Sequence, residues 1–217
     1  MTDDREKIFA AIRRSLRGTD KFDAVRSPAS PLTSSPQRDF EPLFRKFKTE
    51  IEALGGGAET LKTDIDASEF IAEHTEQASS IFIYDHIATQ YRSLVESLSE
   101  SRHLSFGLEF PVGYDKRDVA AFDAAVTACD ACVAETGTVV IRTDMRLPAA
   151  LAPKLFVIAN KSQLLASLDE LFTESFATTD TSNLFLITGP SRTADIEKQL
   201  VKGVHGPKEV IVLFLDK

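Results

Sequence analysis

Only two of the 217 residues are cysteine, Cys129 and Cys132. So few thiols exclude a disulfide scaffold and point to a reducing, cytoplasmic setting. Cys129-Asp130-Ala131-Cys132 has the C-x-x-C spacing, yet a metal or cluster site needs about four ligands, and no second cysteine pair exists. The four histidines, His74, His86, His103 and His205, form no H-E-x-x-H and no close pair. No metal site is expected, and the cysteines read as two small buried residues. Basic residues are also short: the net charge is −8 and the pI near 5.1. Nucleic acid is a poor partner for such a chain. No apolar run approaches the roughly 20 residues that span a bilayer. The opening Thr2-Asp3-Asp4-Arg5-Glu6 lacks the apolar stretch of a secretory signal. No internal repeat is present.

What remains is ordinary globular material, enough for one sizeable core. Residues 1–17 hold an amphipathic helix over 4–17, with Ile8, Phe9, Ile12 and Leu16 on one face. It either docks on its own domain or serves as an arm for a partner. Residues 18–38 carry Pro28, Pro31 and Pro36 among serines, and read as a flexible linker. The body is 39–217. Phe40, Leu43, Phe44, Phe47, Ile51 and Leu54 make a helical stripe that Gly55-Gly56-Gly57 closes. Further helices are expected over 67–77, 87–99, 116–128, 161–172 and 193–202. Strands are expected at 80–84, 132–134, 138–142, 155–159, 183–187 and 209–215. Strands alternating with helices imply a layered α/β fold whose sheet is mostly parallel, with flanking helices.

Two segments carry candidate chemistry. Gly189-Pro190-Ser191-Arg192-Thr193 follows a strand and opens the helix expected at 193. Gly189 permits a sharp turn, Ser191 and Thr193 are good helix caps, and a helix start offers free N–H groups to an anion. Arg192 adds a fork for a carboxylate or phosphate. The alternative is a well-capped helix with Arg192 in solvent or paired to Asp195. The second segment is Ala134-Glu135-Thr136-Gly137-Thr138, between two short strands. A partly buried Glu135 there suits a general acid or base, or a carboxylate nucleophile toward an acyl group. The alternative is a hairpin turn. His205-Gly206-Pro207, between the last helix and the last strand, reads as a turn.

These segments, in this order and separation, resemble the LUD-domain family, in its lactate-utilisation protein C branch. The resemblance spans roughly residues 40–217. It implies a fold of the sugar-phosphate isomerase and CoA-transferase type. It also implies a part in oxidising L-lactate to pyruvate alongside iron–sulfur partner proteins, the clusters being carried by the partners and no cofactor by this chain. Related folds use a strand-end Glu as acyl nucleophile in CoA transfer, which by analogy makes Glu135 the catalytic candidate. Thr136, Gly137, Thr138, Gly189, Pro190, Ser191, Arg192 and Thr193 are the candidates for binding a substrate or anion. The competing expectation is a stand-alone enzyme using Glu135 on a small anionic substrate, a sugar phosphate or an acyl-CoA. A homo-oligomer is compatible with either.

Overall fold

The computed structural model describes residues 39–76, 80–107, 122–143, 152–174, 183–196, 199–202 and 206–216. The expected helix at 4–17 and linker at 18–38 lie outside the described residues, as do 116–121 and His205.

The first described helix, α1 (Phe40–Ala53), follows the expected stripe. Asp39 caps its start by accepting from the Glu41 amide. Phe44, Phe47 and Ile51, at helical spacing, face inward and are buried. Each such side chain contributes about 1.5–3 kcal/mol by leaving water. The end is a Schellman motif: the Gly55 amide donates to Glu52 O and the Gly56 amide to Ile51 O, with Gly55 at φ 83°. The chain then enters β1 (Gly57–Leu61), a short strand that periodicity did not announce.

α2 (Asp64–Glu73) starts three residues before the expected helix because Thr63 and Asp66 form a capping box. β2 (Ser80–Tyr84) is where expected. The helix expected over 87–99 is two helices, α3 (Asp85–Gln90) and α4 (Arg92–Ser99), with the buried Tyr91 between them. β3 (His103–Gly107) follows, a strand outside those expected.

The alanine-rich stretch expected to be helical at 116–128 ends instead in β4 (Ala124–Ala128). This strand lies between two others, so Ala124, Ala125, Val126 and Thr127 are all buried and no alternation shows. Small residues fit a strand packed on both faces, and that context overrides alanine's helix preference. β5 (Ala131–Val133), β6 (Thr138–Thr143) and β7 (Lys154–Asn160) match expectation. The helix expected over 161–172 is broken up. A single 3-10 turn (Lys161–Gln163) leads to β8 (Leu164–Leu165), and α5 (Leu168–Glu174) starts only where Ser167 Oγ accepts from the Glu170 amide. β9 (Asn183–Ile187) also stands where a strand was expected.

The helix expected over 193–202 is a correction. The chain forms β10 (Arg192–Ile196) and β11 (Gln199–Lys202), paired antiparallel with a register shift between Ala194 and Ile196. Helix propensity is a weak prior, and ladder pairing has overridden it. β12 (Glu209–Leu215) closes the fold.

Six strands form one sheet in the order β1-β12-β7-β4-β2-β3, and every neighbouring pair is parallel. α1 packs on this sheet through Phe40, Phe44 and Phe47, whose rings all meet Phe214 of β12 at 5.4–5.7 Å between centroids. A second sheet, β8-β5-β6-β9, is mixed. β9, although apolar from Leu184 to Ile187, lies in this sheet and not in the parallel one; it pairs antiparallel with β6 and forms an edge, with Leu184 and Leu186 exposed. Small residues at Ala131 and Val133, with Val140, Leu165 and Leu171, give this sheet its own small core under α5.

Replacing Phe214 by Ala removes the ring that three phenylalanines of α1 share, and should cost about 3–5 kcal/mol. Urea unfolding should show a lower midpoint at an unchanged slope; an unmoved midpoint would contradict this account of the core.

Candidate functional site

The two candidate segments meet at the end of α1. Between β5 and β6 the chain turns through Ala134–Gly137. The Ala134 and Glu135 amides donate to Leu165 O and Ala166 O, which extends the β5–β8 pairing into the turn. Gly137 is at φ 63°, and a Cβ there would stand 2.6 Å from the Ile51 amide nitrogen. Gly189 is at φ 83°, and a Cβ there would stand 3.0 Å from Leu54 Cβ. Both glycines thus combine a left-handed backbone with close approach to the last turn of α1.

Thr138 links the segments. Its hydroxyl is buried and shares hydrogen bonds with Thr136 Oγ1 at 2.7 Å and with Thr188 Oγ1 at 2.8 Å. The β6–β9 register, with Val139 opposite Ile187, brings Thr138 and Thr188 face to face at the end of the ladder. Thr188 is exposed, so the chain of three hydroxyls runs from the protein interior to solvent. Sequence reasoning passed over Thr188. The Thr-Gly pair repeated at 136–137 and 188–189 was the available clue.

Arg192 Nη2 donates to Leu54 O, the carbonyl left over by the Schellman bonds. Its guanidinium is therefore a remote cap on the negative end of α1. Arg192 is exposed, and a guanidinium has five donors, so this bond leaves others for a ligand. The Ser191 amide donates to Pro207 O at 2.8 Å, which brings in the third segment. Gly189 and Pro190 are buried, Ser191 is half-buried, and Thr193 lies in β10.

Two expectations change. With β10 in place of a helix, the free N–H groups and dipole of a helix start are not there to hold an anion. Glu135 is exposed, so the burial that the general-acid reading requires is missing. Pro207 and Ser191 sit beside the start of β12, and α1 ends at the start of β1, so the segments gather at the amino edge of the parallel sheet. Open α/β sheets hold ligands beyond the carboxyl edge, where strand order reverses.

That carboxyl edge has its own polar cluster, which sequence reasoning missed. Cys129 follows β4 and Asn160 ends β7. Burial pushes the Tyr91 phenol up to about 12; Cys129 and Asp64 add to this, and a hydrogen bond with Asn160 opposes it. Burial also pushes the Cys132 thiol well up, with Cys129 adding in the same direction. Among the described residues, no group of three or more His, Cys, Asp or Glu is arranged to hold a metal ion. No described helix is long and apolar enough to cross a membrane.

An α/β architecture of this kind has known counterparts. The family model of the LUD domain matches residues 44–215, and the chain belongs to that family. A lactate utilization protein C of Oceanobacillus iheyensis is 30% identical over 98% of both chains. One from Anoxybacillus flavithermus is 28% identical, over 77% of this chain and 67% of its own length. One from Macrococcus caseolyticus is 35% identical over a shorter stretch, 43% of this chain and 44% of that protein. In structure the chain is similar to a DUF162-family protein from Deinococcus radiodurans, with a TM-score of 0.59 at 14% identity, covering 82% of this chain and 99% of the other; that likeness speaks for the fold.

Gly137→Ala should destabilise the protein by about 1–3 kcal/mol, through its left-handed backbone and its contact with Ile51. Glu135→Gln, on the exposed crest of the same turn, should stay within about 0.5 kcal/mol of wild type. Thermal melts of the two variants side by side check this; equal melting temperatures would refute the close packing of the turn on α1.

Proposed function

We propose that this chain serves L-lactate utilisation, as one component of a system that oxidises L-lactate to pyruvate together with iron–sulfur partner proteins. The observation that carries the reading is the likeness to a lactate utilization protein C along 98% of both chains. In this reading the electrons pass through clusters held by the partners, in the cytoplasm. The chain itself contributes a carboxylate-recognising or partner-docking surface at Thr136, Gly137, Thr138, Gly189, Pro190, Ser191, Arg192 and Thr193.

A carboxylate substrate is matched by hydroxyl donors and a guanidinium. Thr188 and Arg192 are both exposed on the segment that packs against Leu54. A second reading, catalysis by Glu135 on a sugar phosphate or an acyl-CoA, draws on the exposure of Glu135 next to the linked Thr136 and Thr138 hydroxyls.

The test is lactate-dependent dye reduction in extracts of the host lacking this gene, rescued by wild type, Glu135→Gln or Arg192→Ala at matched protein levels. The expected outcome is loss on deletion, full rescue by wild type and reduced rescue by Arg192→Ala. Rescue by Glu135→Gln at the wild-type level would remove the second reading. Undiminished reduction in the deletion strain, with other lactate dehydrogenases also deleted, would overturn the first.

A further inference from the structure

The only two cysteines of the chain lie against each other. Their sulfurs are 3.6 Å apart, both thiols are free, and Cys129 and Cys132 are 5% and 0% exposed. They straddle the step at which the chain leaves β4 of the parallel sheet for β5 of the mixed one. The backbone of this step is pinned from both sides. The Cys129 amide donates to Ile158 O, and Gln163 Nε2 donates to Cys129 O at 2.8 Å. The Asp130 amide donates to Val140 O, and the Asp130 carboxylate accepts from the Arg142 amide at 2.7 Å and from its Nε at 3.0 Å.

A disulfide needs sulfurs about 2.05 Å apart, so about 1.5 Å of side-chain closure separates the contact from the bond. The fold has already spent the entropy of bringing the sulfurs together. The ring to be closed is very short, so the bond adds little through loop entropy. Its effect is local, fixing the crossing between the sheets.

We propose that Cys129 and Cys132 are a redox-active dithiol that hydrogen peroxide oxidises to an intrachain disulfide. The Cys129 sulfur, the more exposed of the two, attacks a peroxide oxygen. The O–O bond breaks, and the thiol proton leaves with the departing hydroxide as water, giving a sulfenic acid. The Cys132 sulfur then attacks the Cys129 sulfur. The S–O bond breaks, and hydroxide leaves with the Cys132 proton as a second water. The thiol pair supplies the two electrons that reduce one peroxide. The near absence of solvent around the pair makes the first step slow compared with an exposed thiol, and gives the sulfenic acid a neighbouring thiol before a second peroxide arrives.

The experiment treats the folded full-length chain with hydrogen peroxide, then denatures, alkylates and weighs the peptide spanning residues 129–132, apart from those holding Met1 and Met145. The expected product takes up no alkylating agent, is lighter by two hydrogens than the unmodified peptide, and regains both sites with dithiothreitol. Cys132→Ser should stop at a sulfenic acid that dimedone captures. Two alkylatable thiols after prolonged peroxide exposure would overturn the proposal, as would a wild-type product oxidised on single sulfurs without the cross-link. The wild-type peptide decides the matter even if Cys132→Ser does not fold.

Discussion

When α1 ends, the Leu54 carbonyl is left over, and the Arg192 guanidinium, 138 residues further along the chain, takes it. Around this one bond the rest of the candidate site is assembled. The Schellman glycines turn the chain into β1, Gly137 rests on Ile51, and Gly189 rests on Leu54. A helix end carries unsatisfied carbonyls and partial negative charge, so it attracts a cation and tolerates only small residues close by. Gly137, Gly189 and Arg192 answer those requirements. Part of what looks like a ligand-binding motif is thus the means by which the mixed sheet is seated on α1.

The two sheets divide the labour. The parallel sheet holds most of the core, with α1 packed on it through the phenylalanines that surround Phe214. The mixed sheet has a small core of its own and supplies the turns. Because its strands run antiparallel at β5–β6 and β6–β9, turn 134–137 and turn 188–191 come to the same end. That end is the amino edge of the parallel sheet, while Tyr91, Cys129 and Asn160 occupy the carboxyl edge. Among the described residues there are therefore two separate polar regions, one built from hydroxyls and a guanidinium, the other from a phenol, an amide and a thiol pair.

The helical stripe from Phe40 to Leu54 and its glycine stop, the apolar runs of β2, β6, β7 and β12, and the hairpin at Glu135 were all legible, because each rests on spacing within one segment or on a residue with special backbone freedom. So was the parallel α/β class. The family could also be recognised, since its motifs are short and ordered along the chain. The alanine strand at 124–128, the edge placement of β9 in the mixed sheet and the antiparallel pairing of β10 with β11 were not legible. Alanine, glutamate, lysine and glutamine favour helices in isolation, and strand pairing depends on partners far away in sequence.

By itself, then, the sequence determined which residues are apolar and periodic, where the chain must turn, and which family it joins. Only the tertiary structure decided that Thr138 meets Thr188, that Arg192 caps Leu54 and that Glu135 faces solvent. The reason is the range of the interactions. Spacing and turn chemistry act within a few residues, whereas these contacts form only once β6 has paired with β9 and both have packed on the end of α1.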